Sequence, residues 1–128
     1  MSSWTREQLE TLAAGWLEEL RAMDGGEDLN DEFGDAVVMM NFTAPNDVQW
    51  DFIQIAVRGA KSDRELSAIA AGPFEHLMGF HGEAYIDQVE HLASSDPGFR
   101  QMVPGSWRHM MSDEVWAKVQ AIQSIADP

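Results

Sequence analysis

The apolar residues of this chain recur every three or four positions, and short breaks of Gly, Pro and small polar residues interrupt the recurrence. An α-helix turns once per 3.6 residues, so this spacing lines one helix face, whereas a half-buried strand needs strict alternation. Leu9, Leu12, Ala13, Trp16, Leu17 and Leu20 form the clearest stripe. Thr5 and Gln8 stand at capping-box spacing before it, with Trp4 and Leu9 at the staple positions. Gly25 and Gly26 are expected to end this helix, since glycine tolerates the left-handed turn of a C-terminus.

The same reading continues along the chain. Phe33, Ala36, Val37 and Met40 form a second stripe, stopped near Pro45. Asn46 and Gln49 read as the cap of a third helix over Asp47–Ala60. Its Trp50, Phe52, Ile53, Ile55, Ala56 and Val57 cover most sides, which places that helix centrally. Ser62 and Glu65 form another capping pair, before Leu66, Ile69 and Ala70. Gly72-Pro73 then predicts a break, with Pro73 at the first position of a new helix, where its missing N–H is not needed. Phe74, Leu77 and Met78 give that helix its inner face, and Glu75 favours its positive end. Gly82 separates it from a stripe of Tyr85, Ile86, Val89, Leu92 and Ala93. Asp96-Pro97 caps a short turn holding Phe99, Met102 and Val103. Ser112 caps the last helix, whose buried side is Val115, Trp116, Val119, Ile122 and Ala126.

No segment reads as a strand, because the β-branched residues fall inside 3.6-period patterns. The expectation is an all-α chain forming a single helical domain over residues 1–128, with about six to eight short helices. They pack as an irregular bundle or as an α-solenoid-like array of stacked helical hairpins. Trp16, Leu20, Trp50, Ile53, Leu66, Ile69, Leu77, Val89, Leu92 and Trp116 are expected inside. The remaining Trp and Met residues are assigned mostly to inner stripes.

Charge narrows the partners. Twenty-two Asp and Glu face eight Lys and Arg, a net of −14. No Lys or Arg occurs between Ala22 and Val57, while Asp24, Glu27, Asp28, Asp31, Glu32 and Asp35 crowd one acidic loop, about residues 24–35. Phosphate recognition needs a basic footprint, so nucleic acid is not an expected partner, and neither is an anionic membrane. A basic protein is the natural complement. There is no cysteine, which excludes disulfides, thiolate metal sites and a cysteine nucleophile. Met1–Glu10 lacks the apolar core of a signal peptide, and no apolar run approaches the ~18–20 residues that span a bilayer. The expected location is cytoplasmic.

Catalytic motifs are not found. There is no Gly-x-Ser-x-Gly elbow, and Gly25-Gly26 lacks the Lys-Ser/Thr of a phosphate loop. The acidic stretch is rich in oxygen donors but fails the EF-hand spacing: a loop begun at Asp28 has Phe33 at the sixth position, and one begun at Asp24 has Leu29. Glu83, Asp87 and His91 share one helix stripe, with Glu75, His76 and His81 just before it. Imidazole and carboxylate suit Zn²⁺ or Fe²⁺, yet neither the Glu-x-x-His pairs of di-iron bundles nor His-Glu-x-x-His occurs. The plainer reading of that stripe is a solvated polar face.

The segment around residues 41–116 resembles a known family. Gln49-Trp50 with Phe52-Ile53, Ile69-Ala70-Ala71-Gly72-Pro73-Phe74-Glu75-His76-Leu77, His81-Gly82, Ile86-Asp87, Asp96-Pro97-Gly98-Phe99-Arg100 and Trp107 are similar to small uncharacterised bacterial helical proteins, grouped as a domain of unknown function. The resemblance implies a bacterial helical domain and supplies no activity. Its most specific element, Ala-Gly-Pro-Phe-Glu followed by His81-Gly82, either forms a site through Glu75 and His81 or fixes the geometry of a hairpin.

The functional expectation is a non-enzymatic, acidic protein-binding module of immunity- or inhibitor-like kind. Asp24, Glu27, Asp28, Asp31, Glu32 and Asp35, with Glu75 and His81, are its binding residues, and it uses no cofactor, no metal and no catalytic residue. The alternative is a metal-binding protein or metal-dependent enzyme using His76, His81, Asp87 and His91.

Overall fold

The computed structural model describes residues 4–24 and 32–126 of the chain. Among them the elements are α1 (Arg6–Asp24), α2 (Glu32–Thr43), α3 (Asn46–Gly59), α4 (Asp63–Ile69), a π-helical segment (Ala70–Phe74), α5 (Glu75–Ser95), α6 (Pro97–Met102), a 3₁₀ turn (Val103–Gly105) and α7 (Asp113–Ala126). The described residues hold no strand. The all-α fold therefore follows from the 3.6-residue periodicity, because each stripe finds a neighbour to bury against.

Local chemistry sets the helix starts. The Thr5 amide donates to Gln8 Oε1 at 2.8 Å and the Gln8 amide donates to Thr5 Oγ1 at 3.1 Å, a complete reciprocal box before α1. Asp96 accepts from the Phe99 amide at 3.2 Å, and Ser112 accepts from the Val115 amide at 3.2 Å. The third helix starts otherwise than expected. Asn46 is its first residue, Pro45 precedes it without a side-chain cap, and Gln49 turns inward to donate to the Ala44 carbonyl at 2.9 Å. The expected stop at Gly25-Gly26 lies outside the described residues.

Two buried carboxylates tie elements together. Glu19 of α1 accepts from the Phe33 and Gly34 amides at 2.7 and 2.9 Å, so a neighbouring helix supplies the cap of α2. Glu65 of α4 is the second. Its side chain, 3 % exposed, meets Arg21 of α1 at 2.8 Å and also accepts from the Lys61 amide at 3.1 Å and the Ser62 hydroxyl at 3.0 Å. Arg21 also donates to the Gly59 carbonyl at 3.0 Å, locking the end of α3 into the same junction. Burial opposes ionisation of Glu65, but the Arg21, Lys61 and Ser62 hydrogen bonds and the Arg21 charge outweigh it, so its carboxyl titrates below its usual range.

Helix packing is irregular rather than serial. α1 lies against both α2 and α3; α3 also touches α4, α5 and α6; and α5 pairs with α7. The central place expected for α3 is the observed one, and its Phe52, Ile53 and Ala56 are fully buried. Aromatic contacts cross the core, with ring centroids 6.1 Å apart for Trp16–Phe52, 5.7 Å for Trp50–Phe99 and 6.2 Å for Phe74–Phe99. Of the residues expected inside, Leu20, Leu92 and Trp116 are only partly buried and the rest are buried.

Gly72-Pro73 does not break the chain. The helix widens there by one residue, and the Glu75 amide reaches back to the Ala70 carbonyl. Proline lacks an N–H and its ring crowds the carbonyl one turn earlier; a π turn absorbs both defects without ending the helix. Gly82, by contrast, does stand at a division between two helical stretches, joined across a kink within α5. It lies buried inside α5, just after the kink at His81, whose φ and ψ are −136° and 22°.

Candidate functional site

The open face of the molecule forms where α2 packs on the π segment and its last turn meets the start of α5. α2 buries Val37, Met40 and Asn41. Glu32, Asp35, Met39 and Phe42 are spaced three, four and three residues apart, which at 100° per residue keeps them on one outward stripe. All four are exposed. The acidic end of the stripe carries Glu32 and Asp35, in the first turn, where negative charge favours the helix dipole. The other end is apolar.

That apolar end continues onto α5. The Phe42 ring meets His76 edge-on, with centroids 4.8 Å apart, and His76 meets Phe80 at 4.8 Å, one turn along α5. Burial lowers the pKa of His76, a hydrogen bond to the Asn41 backbone works the other way, and the charges of His109 and His81 add to the lowering. These surroundings favour the neutral imidazole, and its ring stands as an aromatic plate in contact with both phenyl rings.

The connection from the 3₁₀ turn to α7 closes over the same half of α5. Glu75 accepts from the Trp107 amide at 3.1 Å. Burial raises the pKa of Glu75, while that hydrogen bond and the charge of His109 lower it by less. Arg108 pairs with Asp113, and its Nε donates to the Met111 carbonyl at 3.2 Å. His109 takes a left-handed conformation, φ 48°, which turns the chain back toward α7. The turn fits because Gly79 lies beneath it: a β-carbon there would stand 3.3 Å from both the His109 ring and the Met110 β-carbon. Gly82 works in the same way one turn later, since its β-carbon would stand 2.9 Å from Val115 Cγ1 of α7. A cleft of about 380 Å³ remains beside Phe80, between His81, Glu83, Met110 and Ser112.

The resulting surface leaves large apolar groups uncovered. Phe42 is 71 % exposed, Met39 60 %, Phe80 51 %, Met110 59 % and Trp107 74 %. Phe42 and Phe80 are joined through the His76 ring, and exposed apolar area that is contiguous in this way marks interaction surfaces. Sequence reasoning missed Phe42, Phe80 and Met110 and assigned methionine and tryptophan mostly to inner stripes. The available signal was position: Met39 and Phe42 fall off the Phe33, Ala36, Val37, Met40 stripe.

The residues singled out in the sequence scatter. Glu27, Asp28 and Asp31 lie outside the described residues; Asp24 ends α1. Glu75 is not at a free helix N-terminus, since the helical run passes through it, and it fastens the Trp107 turn instead. His81 is exposed at the kink. Glu83, Asp87 and His91 are exposed on the outer face of α5, and Asp87 lies 3.9 Å from Lys118. Among the described residues no three His, Asp or Glu side chains come together as a metal site. No helix among them is long and apolar enough to cross a membrane.

A family model described as a family of unknown function (DUF6869) matches residues 26–126. No curated protein and no solved structure matches the chain.

Proposed function

We propose a function from the family outward: the chain belongs to DUF6869, a family of unknown function, whose matched region takes in both α2 and α5. The protein is a non-enzymatic binding module that docks a basic protein, in the manner of an immunity protein or inhibitor, and its setting is the bacterial cytoplasm. One observation carries this reading. The outward stripe of α2 presents Glu32 and Asp35 and then Met39 and Phe42, all exposed, in a stretch of sequence without Lys or Arg. Exposed carboxylates attract a cationic partner and speed its arrival, and uncovered apolar groups hold it once it has arrived.

In sequence, the carboxylates Asp24, Glu27, Asp28 and Asp31 precede α2 and raise the negative charge of this part of the chain. Glu75 and His81 contribute by shaping the adjoining turn and cleft. Electrostatic attraction of this kind weakens as salt rises, because the Debye length falls from about 10 Å at 0.1 M to about 3 Å at 1 M ionic strength.

The test compares the wild-type protein with a Glu32→Lys/Asp35→Lys variant as baits in extract of the source cell, at low and high salt. A partner retained by wild type is expected to be basic, to be lost from the variant and to elute with salt. Equal retention by both baits, insensitive to salt, overturns the reading.

A further inference from the structure

The order of the groups along α2 says more than their presence. Charge and apolar surface are not mixed on the stripe: Glu32 and Asp35 stand at one end, Met39 and Phe42 at the other. Asp35 and Phe42 are seven positions apart, which is about 10 Å along a helix axis, or two turns. Beyond Phe42 the apolar surface runs on over His76 to Phe80 and stops at the cleft of about 380 Å³ beside Met110.

Resting on the binding-module reading, we infer that the partner docks through one amphipathic segment laid along α2, with its Lys or Arg residues over Glu32 and Asp35 and its apolar anchor over the Phe42–His76–Phe80 surface. The complement of a polarised stripe is a polarised segment. A cationic group placed over Phe42 and Phe80 would leave Asp35 unmatched, and an apolar anchor placed over Glu32 and Asp35 would strip water from carboxylates without pairing them. Only one axial alignment satisfies both ends, so the stripe sets the direction of the bound segment as well as its composition. A bare basic segment would meet the acidic end and leave the aromatic end in water. A second copy of this chain brings a surface with the same carboxylates, and like charges facing one another oppose that pairing.

The division of labour makes the two ends separable in kinetics. Exposed charges act mainly on association, and well-packed apolar anchors act mainly on dissociation. His76 serves as backing for the anchor, since its ring touches both Phe42 and Phe80.

The experiment places a photo-crosslinking residue at position 35 or position 42 of the full chain, with exposed Ser94 as the control position, and identifies the attached peptides by mass spectrometry in the source cell. Both positions are expected to capture one segment of one protein. Lys or Arg lies within a few residues of the position-35 attachment, and aliphatic or aromatic residues lie near the position-42 attachment, about two helical turns away. On the purified partner, Asp35→Lys is then expected to slow association roughly tenfold at low salt, and Phe42→Ala to speed dissociation roughly tenfold. Attachment at the two positions to different segments, or to a segment with charge and apolar groups mixed, overturns the polarised docking while the binding module stands. Attachment to a second copy of this chain overturns it in favour of self-association. Attachment at neither position, with a salt-sensitive partner still retained by the bait, moves the interface elsewhere; loss of that partner as well overturns both readings.

Discussion

Glu65 and Glu75 sit on one helical run, on either side of the π segment, and they meet opposite surroundings. Glu65 is enclosed by Arg21 of α1, the Lys61 amide and the Ser62 hydroxyl, and its carboxyl is held below the usual range. Glu75 is half-buried, has the Trp107 amide as its hydrogen-bond donor, and its carboxyl is pushed above the usual range. The first carboxylate closes a seam between helices that share a core. The second fastens a turn beside a surface left open. A carboxylate with several donors and a guanidinium belongs to the machinery of stability, whereas one with a single donor, beside uncovered aromatic rings, borders a surface available for contact.

The largest effect expected from breaking this comparison is at Glu65. Removing one partner of a buried, hydrogen-bonded ion pair costs about 3–5 kcal/mol, and Arg21 keeps partial access to water, which favours the low end. Glu65→Ala is therefore expected to lower the unfolding free energy by about 3 kcal/mol in urea titration. A loss below about 0.5 kcal/mol would place Glu65 among ordinary surface groups and remove the contrast.

The two regions also differ in how far they could be read from the chain. Ser62 and Glu65 announce a cap by spacing alone, and Ser62 Oγ does accept from the Glu65 amide at 3.2 Å. The return half of the box goes to the Lys61 amide, and the partner that matters most, Arg21, lies 44 residues away, where no local pattern points. Thr5 with Gln8, Asp96 and Ser112 were legible for the same reason: caps are short-range chemistry. At Gly72-Pro73 the local rule predicted a break, but the helix runs on through a π turn, and Phe74 and Leu77 beside that turn are fully buried. At Gly82 the reason for glycine is Val115, on another helix. The candidate surface was the least legible part. Phe42, Phe80 and Met110 are apolar, and a periodicity argument sends apolar residues inward; only the tertiary packing shows which of them no neighbour covers.

Titration separates the two carboxylates by sign. A folded pKa below the ordinary 4.5 means that the contribution of Glu65 is fully present above that value and is lost as pH falls through the lower folded value. Glu75 runs the other way. Its folded pKa lies above 4.5, so its contribution is present below 4.5 and is lost as pH rises through the folded value. Unfolding free energies of Glu65→Gln and Glu75→Gln, measured against wild type from pH 3 to pH 7 (about the span around an ordinary carboxyl), are expected to diverge. Relative to wild type, the Glu65 variant fares worst at neutral pH and recovers in acid, whereas the Glu75 variant gains as pH rises. Parallel profiles would mean that the two surroundings do not differ in the way their hydrogen bonds imply.

The smallest effect on stability is expected at the open face itself. Phe42 is 71 % exposed, so its ring is largely in water whether the chain is folded or not. Truncation to Ala removes little buried area and one edge contact with His76, and exposed contacts of that kind contribute a few tenths of a kcal/mol. Phe42→Ala is therefore expected to change the unfolding free energy by less than about 1 kcal/mol, well under the cost at Glu65. The α2 backbone keeps its place, because Val37 and Met40 hold it from below and Glu19 caps its start. The same variant is expected to weaken capture of the basic partner, so stability and binding part company at this residue. A Phe42 variant that unfolds as easily as the Glu65 variant would show the ring to be structural, and the stripe on α2 would then lose its apolar end as a docking element.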